Sequence, residues 1–227
     1  MEAFVHAEER IGQIRLRIIA DSDPLNPRTD WDHDGTILCC DHRRYTLGDR
    51  HAHTDVAAIV RASRDYRRSW EADEGLALNL TFGPDLWTAV QRCRDIVALP
   101  CFLYDHGGIT MSTGTFSCPW DSGQVGFICI AKAAILEIYQ QPAGARLTAV
   151  LKERARMLLE GEVAVYDQYL TGDVWGYVVD LESGDELPDD EPRSCWGFFG
   201  LDDVTAEGLS ELRRAATRFP ELATTAP

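Results

Sequence analysis

The stretch that decides the fold is LPCFLYDHGGITMSTGTFSCPWDSGQVGFICI, which spans residues 99–130. It holds three apolar segments, 99–104, 109–112 and 125–130, and the turns between them contain glycine. Short apolar segments bounded by glycine and polar turn residues are typical of β-strands. Because no helical pattern separates these strands, the sequence predicts a mainly antiparallel sheet in the middle of the chain.

The segments on either side of this stretch predict further strands and helices. Additional strands are expected over 11–20, 35–40, 174–181 and 195–200. Amphipathic helices are expected over 54–67, 84–97, 132–140, 148–169 and 205–218, the last of them capped by Thr205. Strands and helices form clusters and do not strictly alternate, so we expect the α+β class, with a sheet of about six strands and about five helices.

The length and composition are those of an ordinary globular chain. With 227 residues, 45% hydrophobic and 26% charged, the chain fits a single domain over 1–219 and a tail over 220–227. No apolar run approaches the length of a membrane span, and the acidic N-terminal decapeptide lacks the apolar region of a secretory signal. We therefore expect a cytosolic protein that makes no membrane contact, with its seven cysteines as reduced thiols.

The negative charge is concentrated in the last third of the chain. The whole sequence has 22 basic and 37 acidic residues, a net charge of −15. Thirteen of those acids lie within 162–207, where Arg193 is the only base. A surface of this sign repels phosphate, so we expect no direct nucleic-acid binding through it, and it attracts a basic partner. The alternative interpretation is a solvated acidic face that only maintains solubility.

The acids expected to contact a partner lie in three groups along this segment. They are Asp180, Glu182, Asp185, Glu186, Asp189, Asp190, Glu191, Asp202 and Asp203. Aromatic residues nearby would serve as hydrophobic anchors if they were exposed, and core packing is the alternative role for them. These aromatic residues are Trp175, Trp196, Phe198 and Phe199.

A cluster of reactive residue types within 105–121 suggests a second function, that of a cysteine-dependent hydrolase or transferase. Cys118 would be the nucleophile, His106 the base, and Asp105 or Asp121 the residue that orients the base. Pro119 and a glycine-rich turn follow Cys118, so no helix dipole supports its thiolate. The alternative is that these polar residues build turns and that the neighbouring Trp120 packs in the core.

Two patterns resemble metal sites. Asp30, Asp32, Asp34 and Asp41 match positions one, three, five and twelve of a calcium-binding loop, but the preceding prolines exclude the entering helix, and an Asp-rich turn is the alternative. The second pattern is a group of candidate zinc ligands whose spacing fits no standard zinc module: Cys39, Cys40, His42, His51 and His53. We expect no cofactor, with calcium as the alternative.

Several sequence strings resemble a family of uncharacterised proteins of tailed bacteriophages, plasmids and other mobile elements. The strings are DGT (34–36), RYTLGD (44–49), YDHGGI (104–109), CPWDSGQVG (118–126), YDQYLTGDV (166–174) and SCWGF (194–198). The resemblance covers most of residues 30–200 and implies a small cytosolic protein made by a mobile element. It supplies no catalytic role, and neither metal pattern belongs to it.

These observations favour a binding protein over an enzyme. GxxxxGK[ST], GxGxxG after a strand, GxSxG and HExxH are all absent from the sequence. We expect an accessory protein that binds and inhibits a basic, nucleic-acid-binding host defence factor, either a protein or a ribonucleoprotein effector. This would be inhibition of the anti-restriction or anti-CRISPR type, with the acidic surface as a DNA mimic. The cysteine-dependent enzyme is the alternative.

Overall fold

The computed structural model describes residues 4–39, 44–51, 83–189 and 191–224. Eight strands and five helices are found in this part of the chain, and we number them in chain order. The strands are β1 (Val5–Ile11), β2 (Ile14–Ala20), β3 (Thr36–Cys39), β4 (Ile96–Asp105), β5 (Ile109–Ser112), β6 (Ser122–Ala131), β7 (Val174–Leu181) and β8 (Ser194–Phe199). The helices are α1 (Gly83–Arg92), α2 (Lys132–Ile138), α3 (Ala149–Thr171), α4 (Leu201–Arg218) and α5 (Pro220–Ala223).

The chain divides into two compact units. One unit, which we call the terminal unit, combines Met1–Leu25 with Gln168–Pro227, and the other, the middle unit, is Asn26–Asp167. Each unit contains one four-stranded antiparallel sheet. The expected single domain over 1–219 stays a prediction. None of the helices in the described ranges is long and apolar enough to cross a membrane.

The terminal unit is a sheet of order β1-β2-β7-β8 with helix α4 packed on β2 and β7. Alternate residues of β2 point toward this helix, as expected for a strand with one core-facing side. Ile14, Leu16 and Ile18 form the core with Val204 and Leu212 of α4, and all five are buried. Hydrophobic burial of this alternating set therefore holds the helix against the sheet.

The middle unit is a sheet of order β3-β6-β4-β5. Residues 125–130 of β6 are buried at every position, which is typical of a central strand covered on both faces. At Gly126 the neighbouring strand approaches so closely that an added Cβ would lie 1.7 Å from the carbonyl oxygen of Leu38. Helix α3 presents a buried stripe that includes Leu159 and Val163.

The α+β class is confirmed, but the expected sheet of about six strands is two sheets of four. The strands predicted in the middle of the sequence pair among themselves, and those near the chain ends pair with each other. A strand that the sequence did not predict, β1, turns into β2 at Gly12, whose φ of 61° suits glycine. Three of its seven residues are charged and most are exposed, so no hydrophobic alternation marks it.

Two predicted helix boundaries need correction. The helix predicted over 84–97 ends at Arg92, because the chain extends into β4 from Ile96. The last long helix begins at Leu201, directly after Gly200 with its φ of 84°, so Thr205 lies inside the helix and does not cap it. The helix predicted over 54–67 lies outside the described residues.

Candidate functional site

The structure brings together three of the four residues expected to carry cysteine chemistry. Cys118 Sγ lies 3.5 Å from Asp121 Oδ2, and His106 Nδ1 lies 3.3 Å from the same oxygen. The end of β4 and the segment before β6 are held in register by the backbone N–H of Asp105, which donates to the Asp121 carbonyl oxygen at 2.8 Å. The antiparallel pairing of β4 with β6 thus positions the cluster.

The fourth residue, Asp105, directs its carboxylate elsewhere. Arg44 Nη1 lies 3.4 Å from Asp105 Oδ2, and the Tyr45 hydroxyl donates to Asp105 Oδ1 at 3.5 Å. Asp105 therefore contributes its backbone to the cluster, while its side chain anchors the segment that carries Arg44 and Tyr45.

The order of contacts in the cluster differs from that of a cysteine hydrolase. In such an enzyme the imidazole contacts the thiol and the carboxylate orients the imidazole. Here the carboxylate of Asp121 lies between Cys118 and His106 and contacts both of them. Trp120, which the turn-building alternative places in the core, is 92% exposed beside the cluster.

The partner-binding acids of the sequence analysis fall into two structural groups, and the first group is paired with arginines. Asp180 is buried in β7, where Arg15 donates to Oδ1 at 2.9 Å and to Oδ2 at 3.0 Å, and Arg17 also donates to Oδ2. Glu182 is paired with Arg10. These arginines come from β1 and β2, outside the segment whose charge the sequence analysis counted.

Two further acids of this group belong to the loop between β7 and β8. Arg193 donates to Asp189 Oδ2 at 2.7 Å, and Arg218 lies 2.6 Å from the same oxygen. The hydrogen bond from Arg193 lowers the pKa of Asp189. Glu191 lies within 3.6 Å of both arginines, and Asp190 lies outside the described residues.

The second group of acids is exposed and makes no salt bridge with any described residue: Asp185, Glu186, Asp202 and Asp203. Residues 185 and 186 lie in the loop that joins β7 to Ser194, and residues 202 and 203 follow the other end of β8. A strand of six residues is about 20 Å long, so the two pairs lie at opposite ends of the sheet. The nine predicted acids therefore do not form one continuous face.

The terminal unit remains strongly negative despite these ion pairs. Its sequence contains 18 acidic and 7 basic residues, a net charge of −11. Of the expected aromatic anchors, Trp175 is buried and donates from Nε1 to Asp173 Oδ1 at 2.6 Å, whereas Trp196 is 46% exposed. Trp196 is thus available at the surface, and Trp175 belongs to the core.

The residues of the calcium-like loop do not converge. The carboxylate of Asp30 accepts the backbone N–H of Asn26 at 2.8 Å, and the backbone N–H of Asp34 donates to Glu162 at 2.9 Å. Asp32 is exposed, and Asp41 lies outside the described residues. Among the residues that the structure describes, no group of three His, Cys, Asp or Glu side chains could hold a metal ion.

The zinc candidates are only partly described. Cys39 is buried in β3 and His51 is exposed. Cys40, His42 and His53 lie outside the described residues, so the zinc pattern stays a sequence observation.

A buried charge network that the sequence analysis missed connects two of the resemblance strings, DGT (34–36) and RYTLGD (44–49). The side chain of Arg28 is 2% exposed and donates to Asp49, to Glu162 Oε2 at 2.7 Å and to the carbonyl oxygen of Gly35 at 2.7 Å. Burial opposes the charged guanidinium, but the hydrogen bonds that it donates to the carboxylates of Asp49 and Glu162 outweigh this effect and raise the pKa of Arg28. The network holds the loops that flank β3 against helix α3.

Known proteins provide no further guide to the site. No protein-family model, curated protein or solved structure matches the chain. The resemblance to phage and plasmid proteins therefore rests on the sequence strings. Asp49 and Gly126, which lie in two of those strings, serve the fold through an ion pair and a close strand contact.

Proposed function

We propose that the terminal unit binds a basic, nucleic-acid-binding partner, and that the protein is a mobile-element accessory factor that inhibits a host defence effector. The observation that carries this proposal is the net charge of −11 on the terminal unit after every arginine of that unit has been counted. A unit with this charge attracts a surface that normally holds DNA or RNA. Inhibition of the anti-restriction or anti-CRISPR type follows if the unit occupies that surface.

Some acids of the terminal unit stabilise the fold, and others are available to bind a partner. Asp180 and Asp189 are already neutralised by arginines and serve the fold. The exposed acids at the two ends of β8 remain for the partner, and they require a partner surface that reaches both ends. Because exposed charges are screened by salt, this binding weakens as the ionic strength rises.

The test is inhibition of DNA binding by a panel of purified effectors, namely restriction endonucleases and CRISPR nuclease–guide RNA complexes. The full chain is compared with two charge reversals, Asp185→Lys/Glu186→Lys and Asp202→Lys/Asp203→Lys. We expect inhibition of at least one effector, a loss of about tenfold or more in each double variant, and weaker inhibition at high salt.

The matched control reverses two exposed acids of the middle unit, Glu137→Lys/Glu160→Lys. This control changes the total charge by the same amount and is expected to inhibit as well as the unchanged protein. If the control loses as much inhibition as the terminal-unit variants, the effect depends only on the net charge of the chain, and the proposed surface is rejected. Undiminished inhibition by both terminal-unit variants rejects it as well.

A second candidate function, a cysteine-dependent hydrolase or transferase, is favoured by the contacts of Asp121 with both Cys118 and His106. His106 is 69% exposed, so its ring is free to turn from Asp121 toward the thiol. Cys118→Ala should then remove the biological effect while the unfolding temperature stays the same. Cys195→Ala, which removes an exposed thiol of the terminal unit, is the control, and full effect in Cys118→Ala excludes this candidate.

A further inference from the structure

A cavity of about 740 Å³ lies in the middle unit, away from the cysteine cluster. Its wall is built by the residues that precede β4, by the junction of β6 with α2, and by the loop and first turn that begin α3. Leu136 and Leu147 are buried in this wall. The volume is within the range of pockets that hold small organic ligands.

The cavity gathers positive charge in a chain that is otherwise negative. The sequence has two lysines, Lys132 and Lys152, and both line the cavity together with Arg94 and Arg146. Among the lining residues that the structure describes, Asp95 is the only acid, which leaves an excess of three positive charges. The whole chain carries −15, so this concentration is opposite in sign to its surroundings.

Three of these cations are not neutralised by any acid that the structure describes. Lys132, Arg146 and Lys152 form no salt bridge with any acid of the described ranges, whereas arginines such as Arg28 and Arg193 are paired with carboxylates. Like charges that face one concavity repel one another, and a bound anion removes that repulsion. The arrangement therefore fits an anionic ligand.

The elements that carry these cations are fixed by backbone contacts. The N–H of Lys132 donates to the Asp95 carbonyl oxygen at 2.8 Å, which joins the start of α2 to the start of β4. The Thr148 hydroxyl accepts the N–H of Leu151 at 3.2 Å and caps the helix that presents Lys152. Lys132 and Lys152 thus project from anchored helix starts.

We propose that this cavity binds a small molecule through a diphosphate group. A diphosphate carries about three negative charges at neutral pH, which matches the excess charge of the lining. The lining residues in the described ranges include no aromatic ring on which a base would stack, so recognition rests on the phosphates. A nucleic-acid strand is disfavoured because its phosphates would extend over the negative remainder of the chain. The site is independent of the acidic surface of the terminal unit.

The test is isothermal titration calorimetry of the full chain with pyrophosphate and with ADP. We expect both to bind with a Kd of about 10–100 µM and to differ by less than about fivefold, because the base adds little. Lys132→Gln, Arg146→Gln and Lys152→Gln are each expected to weaken binding by about fivefold or more. Arg156→Gln, on α3 but outside the lining, is the matched control and should bind within about twofold of the unchanged protein.

Each departure from this pattern overturns the proposal. Absence of binding at millimolar pyrophosphate removes the site, and an equal loss in Arg156→Gln shows only general electrostatic attraction. Orthophosphate that binds as tightly as pyrophosphate indicates a nonspecific anion site, and tighter binding of a DNA duplex indicates a nucleic-acid surface. Unfolding temperatures of all four variants, measured without ligand, show that any loss reflects the cavity and not the fold.

Discussion

Arg28 and Asp49 form a bidentate ion pair inside the middle unit, with Arg28 Nε donating to Asp49 Oδ1 at 2.9 Å and Nη2 donating to Oδ2. The second oxygen of Asp49 also accepts the backbone N–H of Ile37 at 2.7 Å. The pair therefore connects the loop before β3, strand β3 itself and the segment that follows it. A planar guanidinium can satisfy this arrangement, and an ammonium group cannot.

Arg28→Met is predicted to destabilise the protein by about 3–5 kcal/mol, because it leaves the carboxylates of Asp49 and Glu162 without their buried partner. Arg156→Met, which removes an exposed arginine 3.4 Å from Glu153, should cost less than about 1 kcal/mol. Urea denaturation followed by circular dichroism measures both values. A loss below about 1 kcal/mol in Arg28→Met would show that the network does not stabilise the fold.

A pair of glycine substitutions tests the packing of β6. Gly126→Ala places a methyl group against the backbone of Leu38 and should prevent β3 from pairing with β6, whereas Gly123→Ala meets no atom within 4 Å. We expect Gly126→Ala to unfold or to lose several kcal/mol, and Gly123→Ala to change stability by less than about 1 kcal/mol. Thermal unfolding of the two variants decides the point, and equal stability would contradict the register of β3.

The part of the fold that was predictable is the part with a clear apolar pattern. The strands within 99–130 and the strand over 174–181 were found because buried positions recur along them. Strand β1 was not predicted, because an edge strand with charged residues on both sides lacks a recurring apolar pattern. The division into two sheets was not predicted, because strands that pair across a long sequence separation, such as β2 and β7, leave no local pattern in the sequence.

The reactivity of the thiols should follow their burial. Burial raises the pKa of Cys129 to about 12 and also raises that of Cys101, so both remain protonated at pH 8. Cys118 is half-buried and Cys195 is exposed. Iodoacetamide at pH 8, with modified residues mapped by mass spectrometry, should therefore label Cys195 and Cys118 in the native protein, and Cys101 and Cys129 only after unfolding. Rapid native labelling of Cys129 would contradict the buried β6.

The ion pair of Asp189 predicts a dependence of stability on pH. Arg193 lowers the pKa of Asp189 in the folded protein below its value in the unfolded chain. A carboxyl of this kind stabilises the fold above its unfolded pKa of about 3.9, and that contribution disappears as the pH falls through the folded value. Asp189→Asn should therefore be less stable than the unchanged protein at pH 7, and the difference should shrink toward pH 3.

Glu186→Gln provides the control for this titration. Glu186 is exposed and makes no salt bridge with a described residue, so its substitution should change the stability at pH 7 by less than about 0.5 kcal/mol. Denaturant midpoints measured between pH 3 and pH 7 compare the three proteins. A constant difference between Asp189→Asn and the unchanged protein at every pH would show that the carboxylate charge does not contribute.

The residues of the candidate sites could be predicted from their residue types, but the contacts between them could not. The sequence identified Cys118, His106 and Asp121, yet which of them lies between the other two depends on the pairing of β4 with β6. The net charge of residues 162–207 could be counted from the sequence. The count did not include the arginines of β1 and β2, which pair with Glu182 and Asp180. Such ion pairs join residues that are distant in sequence, so they cannot be predicted from the spacing of residues along the chain.

The terminal unit draws its strands from both ends of the chain, which sets an order on its formation during synthesis. Strand β2 pairs with β7, so it can find its partner only after the ribosome has added Leu181, the last residue of β7. The middle unit lies wholly within Asn26–Asp167 and has no such delay. Until helix α4 has been synthesised, the apolar side of β2, with Ile14 and Leu16, has no helix to cover it, and nascent chains are therefore exposed to aggregation and to chaperones at this segment.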